Sequence, residues 1–333
     1  MPGSKQRRAS VRSRLHLRLM ANCLLVAATM FGLAGQASAQ DMIRIGVPTK
    51  AFWPTIVVQA AIEQKLFEKE GIKAELTIYK GGGEAFEALA AGAADMILVV
   101  PSFAAVGRTK GVDAMIVAAG GIRYSGWHLV VPKGSKITKV EELEGKKVGI
   151  TSTGSSSDIA ARWTMKDRKV SFTLVPLGGG GLVPNLLSGN VDAVVLYSPL
   201  TFELLKSGEI RSLLDFSKAL PEHLATAWMT TDKVIAGKPQ LVQKAVNAIF
   251  GGLNYMRNNR DPAIKLVAVT DEIPADIAAE EYDKTIMELV PDGTFSLEAV
   301  KRSLELSELI GMKGMAPAEQ IFTTKFKPVP TKP

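Results

Sequence analysis

Tyr79–Pro101 reads YKGGGEAFEALAAGAADMILVVP, and Pro176–Pro199 reads PLGGGGLVPNLLSGNVDAVVLYSP. Both run in the same order: a glycine cluster, a short apolar-rich segment, Gly-x-x-Asp, an apolar strand and a proline. Before the first copy, MIRIGVP (42–48) reads as a short strand. TIVVQAAIEQKLFEKEG (55–71) follows as an amphipathic helix stopped at Gly71, and IKAELTIYK (72–80) alternates like a strand. Before the second copy the order repeats: KKVGIT (146–151) as a strand, DIAARWTMKDR (158–168) as a helix, and SFTLVPL (171–177) as a strand. Each unit is therefore strand, helix, strand, helix, strand. Apolar strands alternating with helices indicate parallel sheets covered on both faces.

A duplicated unit of this kind builds either one continuous sheet or two lobes. Polar glycine–serine loops at equivalent strand ends favour two lobes with a cleft, because ligands of open parallel sheets bind beyond the carboxyl ends of the strands. GWHLVVPKGS (126–135) reads as the strand leaving the first lobe and HLATAWMTTDKV (223–234) as the return. The expected fold is α/β: two parallel-type sheets flanked by helices, two connecting strands, and a ligand cleft between. Residues 41–126 and 230–333 form the first lobe and 127–229 the second. The segment from Pro239 onward is helical in pattern, broken at Pro262, Pro274 and Pro291, and is expected to pack on the first lobe.

The chain has 333 residues, enough for two domains of ordinary size. Its net charge of +7 invites a nucleic-acid reading, but six uncompensated cations (Lys5, Arg7, Arg8, Arg12, Arg14, Arg18) lie in the first 40 residues. The rest is close to neutral and shows no basic stripe, which argues against a nucleic-acid partner. Residues 1–40 read as a secretory signal peptide: that cationic run, an apolar stretch from Leu19 to Leu33, and small residues at Ala37 and Ala39. A retained anchor fits less well, since the stretch is short and holds Asn22. The one cysteine, Cys23, lies within it, in the wrong place for a lipoprotein acceptor. The expectation is a periplasmic, unlipidated, cysteine-free mature chain.

Taken together, EQKLFEKEGIKAEL, ALAAGAADM, VPSFAAVGRTKGVDAMIVA, GSKITKVEELEGKKVGITSTGSSSD, LLSGNVDAVVLYSP, NNRDPAIKLVA and LVPDGTFSLEAV carry a resemblance. In order and spacing, over about residues 42–325, the chain resembles the substrate-binding proteins of ABC importers in the nitrate/sulfonate/taurine group, which share a domain with thiamine-pyrimidine-binding proteins. That resemblance implies a periplasmic binding fold of the type II kind. It also implies a small-molecule solute as ligand, a membrane permease and ATPase as partners, a monomer and no cofactor.

TSTGSSSD (151–158) opens a helix, whose N-terminus suits an anion. Thr153, Gly154, Ser155 and Ser156 are expected to offer backbone N–H groups and hydroxyls to a sulfonate or carboxylate, with Ser157 or Asp158 as the helix cap. Ser102, after Val100-Pro101, is the counterpart in the first lobe. Gly82, Gly83, Gly179 and Gly180 either line the cleft or merely make tight turns. Aromatic residues are 6% of the chain, so position matters: Trp53 and then Tyr197 are the expected ring contacts. Trp163 reads as core, Trp127 and His128 as either hinge packing or cleft, and Arg123 and Arg162 as solvated surface. Histidines and cysteines lack zinc-site spacing, and no Gly-x-Ser-x-Gly elbow or Walker A motif occurs. No metal and no catalytic residue is expected. The alternatives are a periplasmic ligand sensor or an enzyme related to thiamine-pyrimidine synthesis.

Overall fold

The computed structural model describes residues 40–329; the leader reading, with Cys23, lies outside them apart from Gln40. Among the described residues there are ten strands: β1 (Met42–Val47), β2 (Lys73–Ile78), β3 (Met96–Val99), β4 (Ala114–Gly121), β5 (His128–Pro132), β6 (Lys147–Ile150), β7 (Thr173–Pro176), β8 (Ala193–Leu196), β9 (Ile210–Asp215) and β10 (Thr226–Thr231). They form two five-stranded sheets, ordered β2-β1-β3-β10-β4 and β7-β6-β8-β5-β9. The helices within the duplicated units are α1 (Trp53–Glu63), α2 (Leu66–Lys69), α3 (Gly82–Ala90), α4 (Pro101–Thr109), α5 (Ser156–Arg168), α6 (Leu182–Leu187) and α7 (Leu200–Ser207). Two short helices, α8 (Phe216–Ala219) and α9 (Asp232–Gly237), precede the tail helices α10 (Pro239–Asn258), α11 (Arg260–Asp271), α12 (Ala275–Lys284) and α13 (Leu297–Leu309).

The sheets are mixed, not purely parallel. β10 runs antiparallel to β3 and β4, and β5 runs antiparallel to β8 and β9. The reason is the route of the chain. A strand reached through a helical crossover lies parallel to its neighbour. β5 and β10 instead arrive directly from the other lobe, entering at the cleft end, so each must run against the strands that point toward it. The second crossing therefore precedes Thr226, and all of β10 belongs to the first sheet. The crossings lie side by side: His223 N–H donates to Ile122 O at 3.1 Å and Ala225 N–H to Gly121 O at 2.8 Å.

The repeated Gly-x-x-Asp has one job, done twice. Gly92 and Gly189 take positive φ, +70° and +76°, ending the helical segment before each Asp. Asp95 then donates its N–H to Arg44 O at 2.8 Å while its carboxylate accepts Arg44 N–H at 2.9 Å. Asp192 does the same to Lys147, at 2.9 Å in both directions. The motif fastens the incoming strand to the start of the first strand of its lobe, β1 or β6. In the first lobe the Arg44 guanidinium adds a bidentate pair to the Asp95 carboxylate, at 2.9 and 2.6 Å.

The helix expected over 55–71 is two pieces, α1 and α2, because Lys65 turns left-handed at φ 55°. The tail packs where the sequence implied, with a qualification. α10 lies on α1 so closely that a Cβ on Gly252 would stand 2.6 Å from Val57 O. The residue that ends α12 also touches the second lobe, through Thr285 Oγ1 and Ser198 Oγ at 3.0 Å. Beside those hydroxyls lies Glu281, wholly buried, with no partner of ordinary hydrogen-bond geometry for either carboxyl oxygen. Burial pushes its carboxyl up to about 8. Asp271, whose carboxyl oxygens are likewise unpartnered, is pushed up to about 7 by burial, against the pull of Lys50.

Candidate functional site

The strands of both lobes end at a shared seam, and its contacts are made by backbone and small side chains. Gly83 N–H donates to Ser152 Oγ at 3.1 Å, and Gly179 N–H donates to Lys80 O at 2.8 Å. Each glycine cluster thus bonds to the facing lobe across the cleft. Space explains the residue type. A Cβ on Gly179 would stand 2.6 Å from the Tyr197 hydroxyl and 2.9 Å from Thr49 Cβ, nearer still to Thr49 Cγ2. One on Gly81 would stand 2.9 Å from Ser152 Oγ. Gly82 faces Phe103, Val99 and Ser155. Gly180 differs: it is exposed, and an added Cβ there would meet nothing within 4 Å.

Beside the seam is an aromatic cluster drawn from both lobes. Phe52, in the loop after β1, lies 5.7 Å from Trp127 and 5.4 Å from Tyr197, both edge-on. Trp127 and Tyr197 are 5.2 Å apart, and Trp53 and Tyr124 extend the cluster at 5.8 and 5.3 Å. These distances suit tilted and edge-to-face ring pairs. Burial raises the Tyr197 hydroxyl to about 12 and raises that of Tyr124 as well, so both are neutral donors. Two cavities remain around the rings. One, of about 20 Å³, is lined by Trp53, Tyr124, Trp127 and Ser156; the other, of about 30 Å³, by Thr49, Phe52, Gly82, Phe103, Ser155 and Tyr197. Each is the size of a water or two, so the lobes are closed on each other here.

The serine loop opens α5 as expected, with a different division of labour. Ser155, extended at φ −73° and ψ 172°, is the cap, its Oγ accepting Asp158 N–H at 3.4 Å. Ser157 and Asp158 do not cap. Ser157 Oγ accepts Thr151 N–H at 2.8 Å, and Asp158, buried, takes Arg162 Nε and Gly154 N–H, each at 2.8 Å. The Gly154 amide is therefore committed to Asp158 and is not offered to a solute. At φ +77°, with a would-be Cβ 3.3 Å from the Phe103 ring, Gly154 shapes the loop instead. Thr153 is exposed, away from both cavities. Of the first-turn amides, Ser156 and Ser157 are left for an incoming group.

Ser102 is fully buried near the start of α4, and its hydroxyl has no hydrogen-bond partner. Trp163 is core, edge-on to Phe216 at 6.5 Å. His128 is held by Ser212 Oγ at 2.8 Å, and burial lowers its pKa; Arg123, on the rim, is paired with Glu222 at 2.9 Å. Among the residues lining the two cavities Arg123 is the only cation. Sequence reasoning passed over Phe52, Thr49, Ser152, Phe103 and Thr226. The FWP triplet at 52–54 was the one available signal for Phe52. The others acquire their role only from the opposite lobe.

Two lobes of this topology, joined by two crossings and closing on a shared strand-end seam, define the periplasmic binding protein fold. The profile described as NMT1/THI5 like matches residues 55–263, and the chain belongs to that family, as its resemblance to ABC-importer substrate-binding proteins implied. It is 24% identical over 226 residues to a protein of Brucella abortus named for binding, covering 65% of this chain and 68% of the relative. It is 27% identical over 182 residues to a Bacillus subtilis protein named as an aliphatic sulfonates-binding protein, covering 53% and 54%. The alkanesulfonate-binding protein SsuA of Xanthomonas axonopodis, solved with MOPS bound, superposes with a TM-score of 0.74 at 19% identity, covering 86% of this chain and all of that one. The fold is not confined to binding proteins: the desulfurization enzyme DSZB superposes at 0.57, with 14% identity over 86% of this chain and 97% of its own. Among the described residues no helix is long and apolar enough to cross a membrane, and no cluster of three or more His, Cys, Asp or Glu could hold a metal.

Proposed function

We propose that this chain is the solute-binding subunit of an ABC importer. In this reading it works in the periplasm as a monomer, closes its lobes over a small organic anion of the sulfonate or carboxylate kind, and hands it to a membrane permease and its ATPase. The observation that carries the reading is the seam. Two rigid sheets, hinged by paired crossings, meet through glycine backbone and hydroxyls at the carboxyl ends of their strands. A solute that touches both lobes at once favours the closed arrangement by its additional contacts there. Ser156 and Ser157, at the start of α5, supply the anion contacts, helped by the positive end of the helix dipole. A hydrolytic role is disfavoured: Ser155 Oγ bonds to Thr151, Ser157, the Ser152 carbonyl and the Asp158 N–H and to no histidine, and both described histidines are bonded elsewhere.

The test is a thermal-shift screen of the purified chain against small sulfonates, carboxylates, nitrate and pyrimidines. A ligand at a hundredfold excess over its Kd stabilises by about 2.7 kcal/mol, enough to move Tm visibly. A shift confined to one chemical class supports the reading and names the class. Silence from every class counts against it.

A further inference from the structure

We infer that the solute of this cleft carries a flat aromatic ring, which slides between Phe52 on one lobe and the Trp127–Tyr197 pair on the other. The inference rests on the binding-protein reading and adds the chemistry of the solute to it.

The placement of rings is the first ground. Two of the chain's four tryptophans and two of its five tyrosines stand in this one cluster. Phe52, Trp127 and Tyr197 are 5%, 7% and 2% exposed, so with the lobes together they serve as one another's solvent shield. The second ground is the room left among them. Cavities of about 20 and 30 Å³ hold no organic solute, so the solute must enter by parting rings that now touch. A ring is about 3.5 Å thick, a separation that hinge movement of two lobes readily supplies.

The third ground is what parting the rings costs. Phe52 loses its edge-on contacts to Trp127 and Tyr197, at 5.7 and 5.4 Å. An inserted aromatic face gives both sides a ring partner again, whereas an alkyl chain restores contact area without the quadrupole attraction. The electrostatics agree. The cavities contain no unpaired cation, and the carboxylate of Asp158 already stands at the α5 N-terminus, paired with Arg162. The polar head is thus small and carries at most one charge, met by the Ser156 and Ser157 amides. Ring contact, not charge, supplies the larger share of recognition.

Matched pairs that differ only in the ring decide the matter: benzenesulfonate against methanesulfonate, and benzoate against acetate, each titrated calorimetrically into the purified chain. The expected result is that each ring compound binds at least thirtyfold more tightly than its alkyl partner, and that Phe52→Leu removes most of that ratio. Tryptophan fluorescence gives a second reading, since a ring seated against Trp53 and Trp127 changes their emission. Equal affinities within the pairs, with binding in both, overturn the aromatic inference while leaving the solute-binding reading standing. No heat and no thermal shift with either series, nor with the wider anion panel, overturns both. If Phe52→Leu fails to fold, the wild-type pairs alone still decide.

Discussion

Replacing Glu281 by Gln should make the protein more stable at neutral and alkaline pH and leave it unchanged in acid. Glu281 is wholly buried where α12 meets the second lobe, beside the hydroxyls of Ser198 and Thr285. Burial raises its carboxyl from 4.5 to about 8. Below pH 4.5 the group is protonated in both the folded and the unfolded chain and contributes no pH dependence. Between 4.5 and about 8 the folded chain keeps a proton that the unfolded chain has released, so stability falls as pH rises. At about 1.4 kcal/mol per unit, the loss across that window is about 5 kcal/mol; above it the loss is complete and constant. A glutamine has the same shape and no charge to desolvate, so the variant keeps what the wild type loses. Urea unfolding at half-unit steps from pH 4.5 to 9 measures this directly, as the difference between the two stability curves. That difference should begin near zero and widen with pH. Parallel curves would refute the reasoning, since they would mean that Glu281 carries its charge in the folded chain. Asp271, raised from 3.8 to about 7, leaves a slope of the same sign in the variant up to about pH 7, which Asp271→Asn should remove.

Gly179→Ala puts a methyl group into Thr49 and the Tyr197 hydroxyl at the seam. Overpacking of about 1–3 kcal/mol, borne only by the closed arrangement, should weaken solute binding about 5- to 150-fold. Small-angle scattering should show a more open chain, while Tm without solute changes little. Gly252→Ala forces α10 off α1, and the same overpacking range predicts a fall in Tm of several degrees with solute affinity unaltered once folded.

The duplicated order of glycine cluster, Gly-x-x-Asp and apolar strand made the two-lobed plan readable, because strand length, helix stops and the Asp fastening are local properties of the chain. Strand direction was not readable. Thr226–Thr231 has the β-branched and aromatic composition of a strand, but nothing in those six residues encodes that the chain arrives from the other lobe. The same limit divides the site. Glycine clusters and the serine loop announce close backbone approach by composition alone, and Gly82, Gly83, Gly179, Ser155 and Ser156 stand where the lobes meet. Gly180 and Thr153, of identical local character, point to solvent. Gly154 looked like an amide donor because Asp158, four residues on, could not be seen to claim its N–H. Thr49 and Ser152 matter only through partners on the facing lobe, and no local pattern marks them.

The antiparallel entry of β10 also sets an order of assembly. The strands of the second sheet, β5 to β9, come from one unbroken stretch, residues 128–215, so that lobe can form its sheet as soon as the stretch is free. The first sheet cannot. Its β3 and β4 have no partner between them until residues 226–231 arrive, roughly a hundred positions after β4 ends. A chain emerging from its N-terminus therefore holds a half-built sheet with two open strand edges while the later-made lobe is completed, the interval in which such a chain is most exposed to aggregation. Pulsed hydrogen exchange during refolding would show this as protection of Leu129 and Val194 ahead of Leu98 and Ile116.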